Sequence, residues 1–82
     1  MMSIVEYAEF LVKGICKEPD LVKVSSYDGE EDITILDILI PEDAMGSVIG
    51  KSGRNANALR TLIQAYAYVN KTGKLKINID SF

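Results

Sequence analysis

The chain has 82 residues, 48% of them hydrophobic and 26% charged, which suits one small globular domain over residues 1–82 and argues against disorder. No apolar run approaches the ~18 residues a membrane span needs, and no basic-then-apolar leader opens the sequence. A single Cys and no His leave neither an internal disulfide nor a metal site, so a cytoplasmic protein without a cofactor is expected.

Ser3-Ile4-Val5-Glu6 reads as a capping box, in which the Ser3 hydroxyl and the Glu6 carboxylate satisfy each other's free backbone donors. The helix it opens is predicted to run to about Lys17, where Glu18-Pro19 stops it. Ile4, Ala8, Leu11, Val12 and Ile15 share its apolar arc, with Val5, Tyr7 and Cys16 at the flanks. Phe10 falls instead among Glu6, Glu9, Lys13 and Lys17, next to Gly14, and is a candidate contact for a protein partner.

Leu21–Tyr27 reads as a first strand, with Val22 and Val24 on one face. Asp28-Gly29-Glu30-Glu31-Asp32 signals a turn onto a second strand, Ile33–Ile40. That acidic turn lacks the alternating carboxylates and closing Glu of a calcium loop, so it reads as a solvated hairpin tip. In the second strand Thr34, Leu36, Ile38 and Ile40 alternate cleanly and are assigned to the core. Asp37 interrupts the opposite set, Ile33, Ile35 and Leu39, a face apolar enough to be partly covered by a second chain.

Pro41-Glu42-Asp43 starts a short helix to about Ile49, with Pro pre-setting the first turn and the acids favouring its positive end. A longer helix is predicted from Arg54 to about Asn70, with Leu59, Leu62, Ile63, Tyr66 and Val69 as its apolar arc and Asn57, Arg60, Gln64 and Lys71 opposite. Gly73 ends it, and Lys74–Asp80 alternates as a last strand with Leu75, Ile77 and Ile79 inward. The fold class is therefore α+β: a three-stranded mixed sheet with its helices packed on one face.

Between the two later helices lies Gly50-Lys51-Ser52-Gly53. Glycines three apart permit a tight turn and close approach of a ligand to the main chain, and the helix that follows begins with free N–H groups and a positive dipole end. Lys51 and Arg54 add charge at the same place. A nucleotide-triphosphate loop is excluded by spacing, because only three residues separate Gly46 from Gly50-Lys51-Ser52 where four are required. A bare bend at a helix corner is the structural alternative.

The combination Ile40-Pro41, Gly46, Val48-Ile49-Gly50-Lys51-Ser52-Gly53-Arg54 and then Ala58-Leu59-Arg60-Thr61-Leu62-Ile63 resembles the core of a KH domain. Over nearly the whole chain the sequence is similar to the small stand-alone bacterial KH proteins of the KhpA (YlqC) family. That resemblance implies the prokaryotic, type II order α-β-β-α-α-β and a loop that clamps about four nucleotides of single-stranded RNA. Gly50 and Gly53 would admit the phosphates, with Lys51 and Ser52 pointing at them and Arg54 supplying further charge. The bases would lie over Val48, Ile49, Ala56 and a residue or two of the second strand, although both Val48 and Ile49 are also readable as plain core, Val48 equally so. Asn57 and Arg60 would flank the path. The resemblance also implies pairing, with a second copy or with a larger KH-containing protein of the KhpB/Jag kind. Family roles are RNA chaperoning, post-transcriptional control, and cell-wall and cell-shape homeostasis.

Charge is split along the chain in the same sense. Residues 1–43 hold three Lys against eleven acids, whereas residues 44–82 hold six basic residues against Asp80 alone, so the basic half carries the loop despite a net charge of −3. No aromatic stands at the loop, so weak base specificity is expected. No His is present, and no Ser or Cys has a base beside it, so the chain reads as a binding module rather than an enzyme, with no small-molecule substrate and no membrane. The alternative is a KH-shaped protein-interaction or ribosome-associated module with little free RNA binding. The net negative charge favours it and the intact glycine loop opposes it.

Overall fold

The computed structural model describes residues 2–82. The capping box forms as expected: the Glu6 N–H donates to Ser3 Oγ at 3.1 Å and the Ser3 N–H donates to Glu6 Oε1 at 2.9 Å. The Ser3 N–H, and after it the Ser3 side chain, hydrogen-bond to the Glu6 carboxyl and hold it below its ordinary pKa. Helix α1 spans Ile4–Lys13, four residues shorter than expected. Gly14 is a poor helix former, and the Ile15 N–H turns to the Val12 carbonyl at 3.1 Å, tightening the last turn. The chain leaves the helix axis here, so Cys16 is buried while Ile15, assigned to the apolar arc, is exposed.

Pro19–Leu21 forms a single 3-10 turn, so Leu21 is not in the sheet and strand β1 covers Lys23–Asp28. Strand β2 covers Ile33–Ile40 as predicted and is the centre of the sheet, with β1 antiparallel on one side and β3, Lys74–Ser81, parallel on the other. The registers Val24↔Ile38, Leu36↔Ile77 and Ile38↔Ile79 put the alternating apolar residues of all three strands on one face. On that face Leu36, Ile38 and Ile40 are fully buried.

The parallel β2–β3 pair requires a long crossover, and the two later helices supply it. Helix α2 is Met45–Ile49, after a 3-10 turn at Glu42–Ala44, and α3 is Arg54–Val69. Ala8 and Val12 of α1, Val48 of α2, and Leu59, Ile63 and Ala67 of α3 join the sheet in one apolar cluster. The Gln64 amide donates to the Leu75 carbonyl at 2.8 Å and ties α3 to the edge strand.

The apolar arc of α3 differs from its expected one. Its buried residues are Ala56, Leu59, Ile63 and Ala67, whereas Leu62 is 47% and Val69 75% exposed. Small alanines at the ends of the inner stripe let the helix approach its neighbours, and the larger Leu62 and Val69 are turned outward. Tyr66, half-buried, stacks on Tyr7 with centroids 4.1 Å apart and an interplanar angle of 8°, and its hydroxyl donates to the Met2 carbonyl.

Adjacent residues on α3 therefore separate the two faces. Ile63→Ala is expected to cost about 2–5 kcal/mol, through lost burial and a residual cavity. Leu62→Ala in dilute protein is expected to cost under about 1 kcal/mol, in line with surface substitutions. Urea denaturation of both variants checks this.

Candidate nucleic-acid interface

The site begins where β2 ends. Ile40 leads into Pro41, whose φ of −61° suits the entry to the turn, and Ala44 and Val48 anchor that short helical segment in the core. The last bond of α2 runs from the Gly50 N–H to the Gly46 carbonyl at 2.9 Å. Gly50 then adopts φ 77°, ψ 172°, a region open essentially to glycine alone. Ser52 at φ 58°, ψ 25° and Gly53 at φ 76°, ψ 13° are both left-handed, and α3 starts at once with Arg54. A Gly53 N–H to Gly50 carbonyl bond at 3.2 Å closes the corner.

This backbone places the Lys51 and Ser52 side chains at an exposed tip. Among the described residues no backbone carbonyl accepts the N–H of Lys51 or of Ser52, so both remain as donors. The one ion pair among the described residues is Lys13–Glu9 at 3.2 Å, so Lys51, Arg54 and Arg60 keep their charge for other uses. The tip thus combines free amides, a helix N-terminus and cations, a set suited to an anionic oxygen.

The other expected site residues divide. Arg54, Asn57 and Arg60 are exposed along α3, and Ile49 is half-buried beside the tip. Val48 is fully buried, which resolves its two readings in favour of core. Ala56, expected on the groove floor, is 3% exposed, so it contributes close packing and almost no contact area. Phe10 is 64% exposed on α1, an element that does not carry the loop.

A cleft of about 350 Å³ lies between Arg60 and the sheet, lined by Asp37, Ile38 and Leu39 of β2 and by Ile77, Asn78, Ile79 and Asp80 of β3. The β3 share was not anticipated; alternation put Ile77 and Ile79 inward, but only the strand order places β3 at the edge, where they stay half-buried. Asn55 was also missed: its side-chain amide donates to the Ser47 carbonyl at 2.7 Å, across the base of the corner. A second shallow apolar cleft, about 320 Å³, is lined by Tyr7, Leu62, Ala65, Tyr66 and Val69. Among the described residues no group of three or more His, Cys, Asp or Glu could hold a metal ion, and no helix is long and apolar enough to cross a membrane.

The two loop glycines are not equivalent. A Cβ on Gly50 would meet Asn55 Cγ at 2.7 Å in a backbone region closed to other residues, whereas a Cβ on Gly53 meets nothing nearer than Asn57 Nδ2 at 4.0 Å. Gly53→Ala is expected to cost about 1–2 kcal/mol for the left-handed conformation alone. Gly50→Ala is expected to cost more, about 3 kcal/mol or above, from strain and overlap together. Paired thermal and urea melts check the order.

The family model "KhpA/KhpB, KH domain" matches residues 5–80. Among curated relatives, the RNA-binding protein KhpA of Clostridium acetobutylicum is 46% identical over 59 residues, 72% of this chain and 77% of that one. Its namesake from Caldanaerobacter subterraneus subsp. tengcongensis is 42% identical over 66 residues, covering 80% and 87%. That of Clostridium perfringens is 38% identical over 74 residues, covering 90% and 96%. Among solved structures, a crystal structure of Era in complex with MgGDPNP and nucleotides 1506-1542 of 16S ribosomal RNA aligns with a TM-score of 0.65 at 14% identity. That alignment takes in 95% of this chain and 29% of the longer one, a likeness of fold. The α-β-β-α-α-β order, the glycine corner between α2 and α3 and these matches agree: the chain belongs to the KhpA/KhpB family of KH domains.

Proposed function

We propose that this chain binds single-stranded RNA, with the phosphate backbone on the Gly50-Lys51-Ser52-Gly53 tip and the bases in the cleft between α3 and β3. The observation that carries this reading is the tip, where two free amides and the cations Lys51 and Arg54 follow one another on a corner with positive-φ glycines at both ends. The relatives named RNA-binding protein KhpA support the ligand class. In the cleft the bases meet Ile77 and Ile79 among polar and charged groups, Asp37, Arg60, Asn78 and Asp80, and no ring stands at the tip to stack on, so base specificity is weak. The acidic first half of the chain repels RNA elsewhere and confines it to this path. The site is one for binding and not for catalysis.

Pairing is part of the proposal. Ala58, Leu62, Ala65 and Val69 are all exposed on α3 at the spacing of a helix–helix seam, separate from the inner stripe at Ala56, Leu59, Ile63 and Ala67. Tyr7 of α1 lines the shallow cleft beside this seam, and Phe10, exposed three residues later on α1, is proposed as a further partner contact. A second copy or a larger KH-containing protein of the KhpB/Jag kind fits this surface, and two linked sites raise effective affinity without new contacts. A cytoplasmic setting accords with the buried free thiol of Cys16. Roles in RNA chaperoning, post-transcriptional control, and cell-wall and cell-shape homeostasis are proposed on family resemblance alone.

Fluorescence anisotropy with short single-stranded RNAs tests the clamp. Three cations on the path predict a log–log salt slope of about −2, and Lys51→Asp with Ser52→Asp should abolish binding in a protein that still folds. Equal binding by the double variant would remove the loop as the site. No binding by either protein at low salt would favour a protein-interaction module. For pairing, sedimentation should show self-association, or association with the larger KH protein, that Leu62→Asp removes. A strict monomer at high concentration, alone and with that partner, would overturn it.

A further inference from the structure

Resting on the RNA-binding reading, we infer that Asn55 is a positioning residue, a staple that holds the glycine corner in its phosphate-receiving shape before RNA arrives. In a continuing helix the carbonyl of Ser47 would accept the N–H of Lys51, but the turn at Gly50 carries that N–H away. The Asn55 amide takes its place, donating to the Ser47 carbonyl at 2.7 Å from the second residue of α3. One side chain thus caps the end of α2 from the start of α3.

The same side chain fills the inside of the corner. Its Cβ and Cγ lie 3.0 and 2.7 Å from where a Cβ on Gly50 would stand, so Gly50 and Asn55 fit only as a pair. Ser47 is itself tied back, its hydroxyl donating to the Ala44 carbonyl at 3.1 Å, and Ala44 is buried. The chain of contacts runs from the core through Ser47 and Asn55 to the loop. Without it, the left-handed residues Ser52 and Gly53 are held only by the 3.2 Å bond between Gly53 and Gly50 and by the start of α3. The loop would then be ordered by the RNA, at a cost in affinity.

Asn55 is exposed and its substitution leaves the core intact. In Asn55→Ala, 15N relaxation of the free protein should show the order parameters of the Lys51 and Ser52 amides falling from about 0.85 toward 0.6, with the rest of the chain unchanged. RNA affinity should fall about three- to tenfold, the worth of one hydrogen bond. Asn55→Asp, which cannot donate and suits a helix N-terminus, should show the same loss of loop order at undiminished stability. A loop as ordered in both variants as in the wild type overturns the inference, even if affinity falls, because Asn55 would then act by touching RNA. Loss of loop order without loss of affinity overturns it too. The relaxation measurement needs no RNA, so it stands apart from any failure of the RNA-binding reading, which the Lys51 and Ser52 variants report.

Discussion

Four residues between α2 and α3 must turn with three positive φ angles, and the rest of the fold is built to hold them there. The parallel pairing of β2 with β3 forces a crossover, and here it consists of α2, the corner and α3. Ile40, fully buried at the end of the central strand, and Val48, fully buried in α2, fix one arm of the corner. Leu59 and Ile63 fix the other against the same cluster. The strain of the left-handed residues is carried by a core that surrounds both arms, so the tip needs little packing of its own and stays open to a ligand.

Helix α3 serves two surfaces at once. Its inner stripe is narrow, with alanines at 56 and 67 bracketing Leu59 and Ile63, which leaves room on the same helix for a second apolar stripe facing solvent. Its polar side exposes Arg54, Asn57 and Arg60, and Arg60 lines the cleft toward β3. The charge division follows the same geometry: the acids concentrate in α1, the β1–β2 turn and the entry to α2, while the loop, α3 and β3 hold most of the cations. A net charge of −3 thus describes the chain as a whole and says little about the surface around the tip.

Much of this was legible in residue order. The β2 span was read to the residue because Leu36, Ile38 and Ile40 alternate without interruption, and the capping box marked the start of α1. The corner was legible because Gly50 and Gly53 stand between two helical patterns, with Ile40-Pro41 and Val48-Ile49 before them and Arg54 after. The end of α1 was not, since Pro19 is an evident stop whereas Gly14 ends the helix earlier by weakness and by the need to bury Cys16. The outward turn of Leu62 and Val69 was hidden by reading bulk as burial, when small alanines hold the close contacts. Asn55 carries no sequence signal at all, because its role depends on a carbonyl eight residues earlier that only the folded corner brings within reach.

The most direct test of the tip as the binding surface is a 15N-HSQC titration of the chain with a short single-stranded RNA at low salt. Clamping by the corner predicts that the largest shifts fall on the amides of Gly50 to Arg54, with a second group on Ile77 to Asp80 along the cleft. Shifts confined to the outer sheet face or to α1, with the Lys51 and Ser52 amides unmoved, would contradict it.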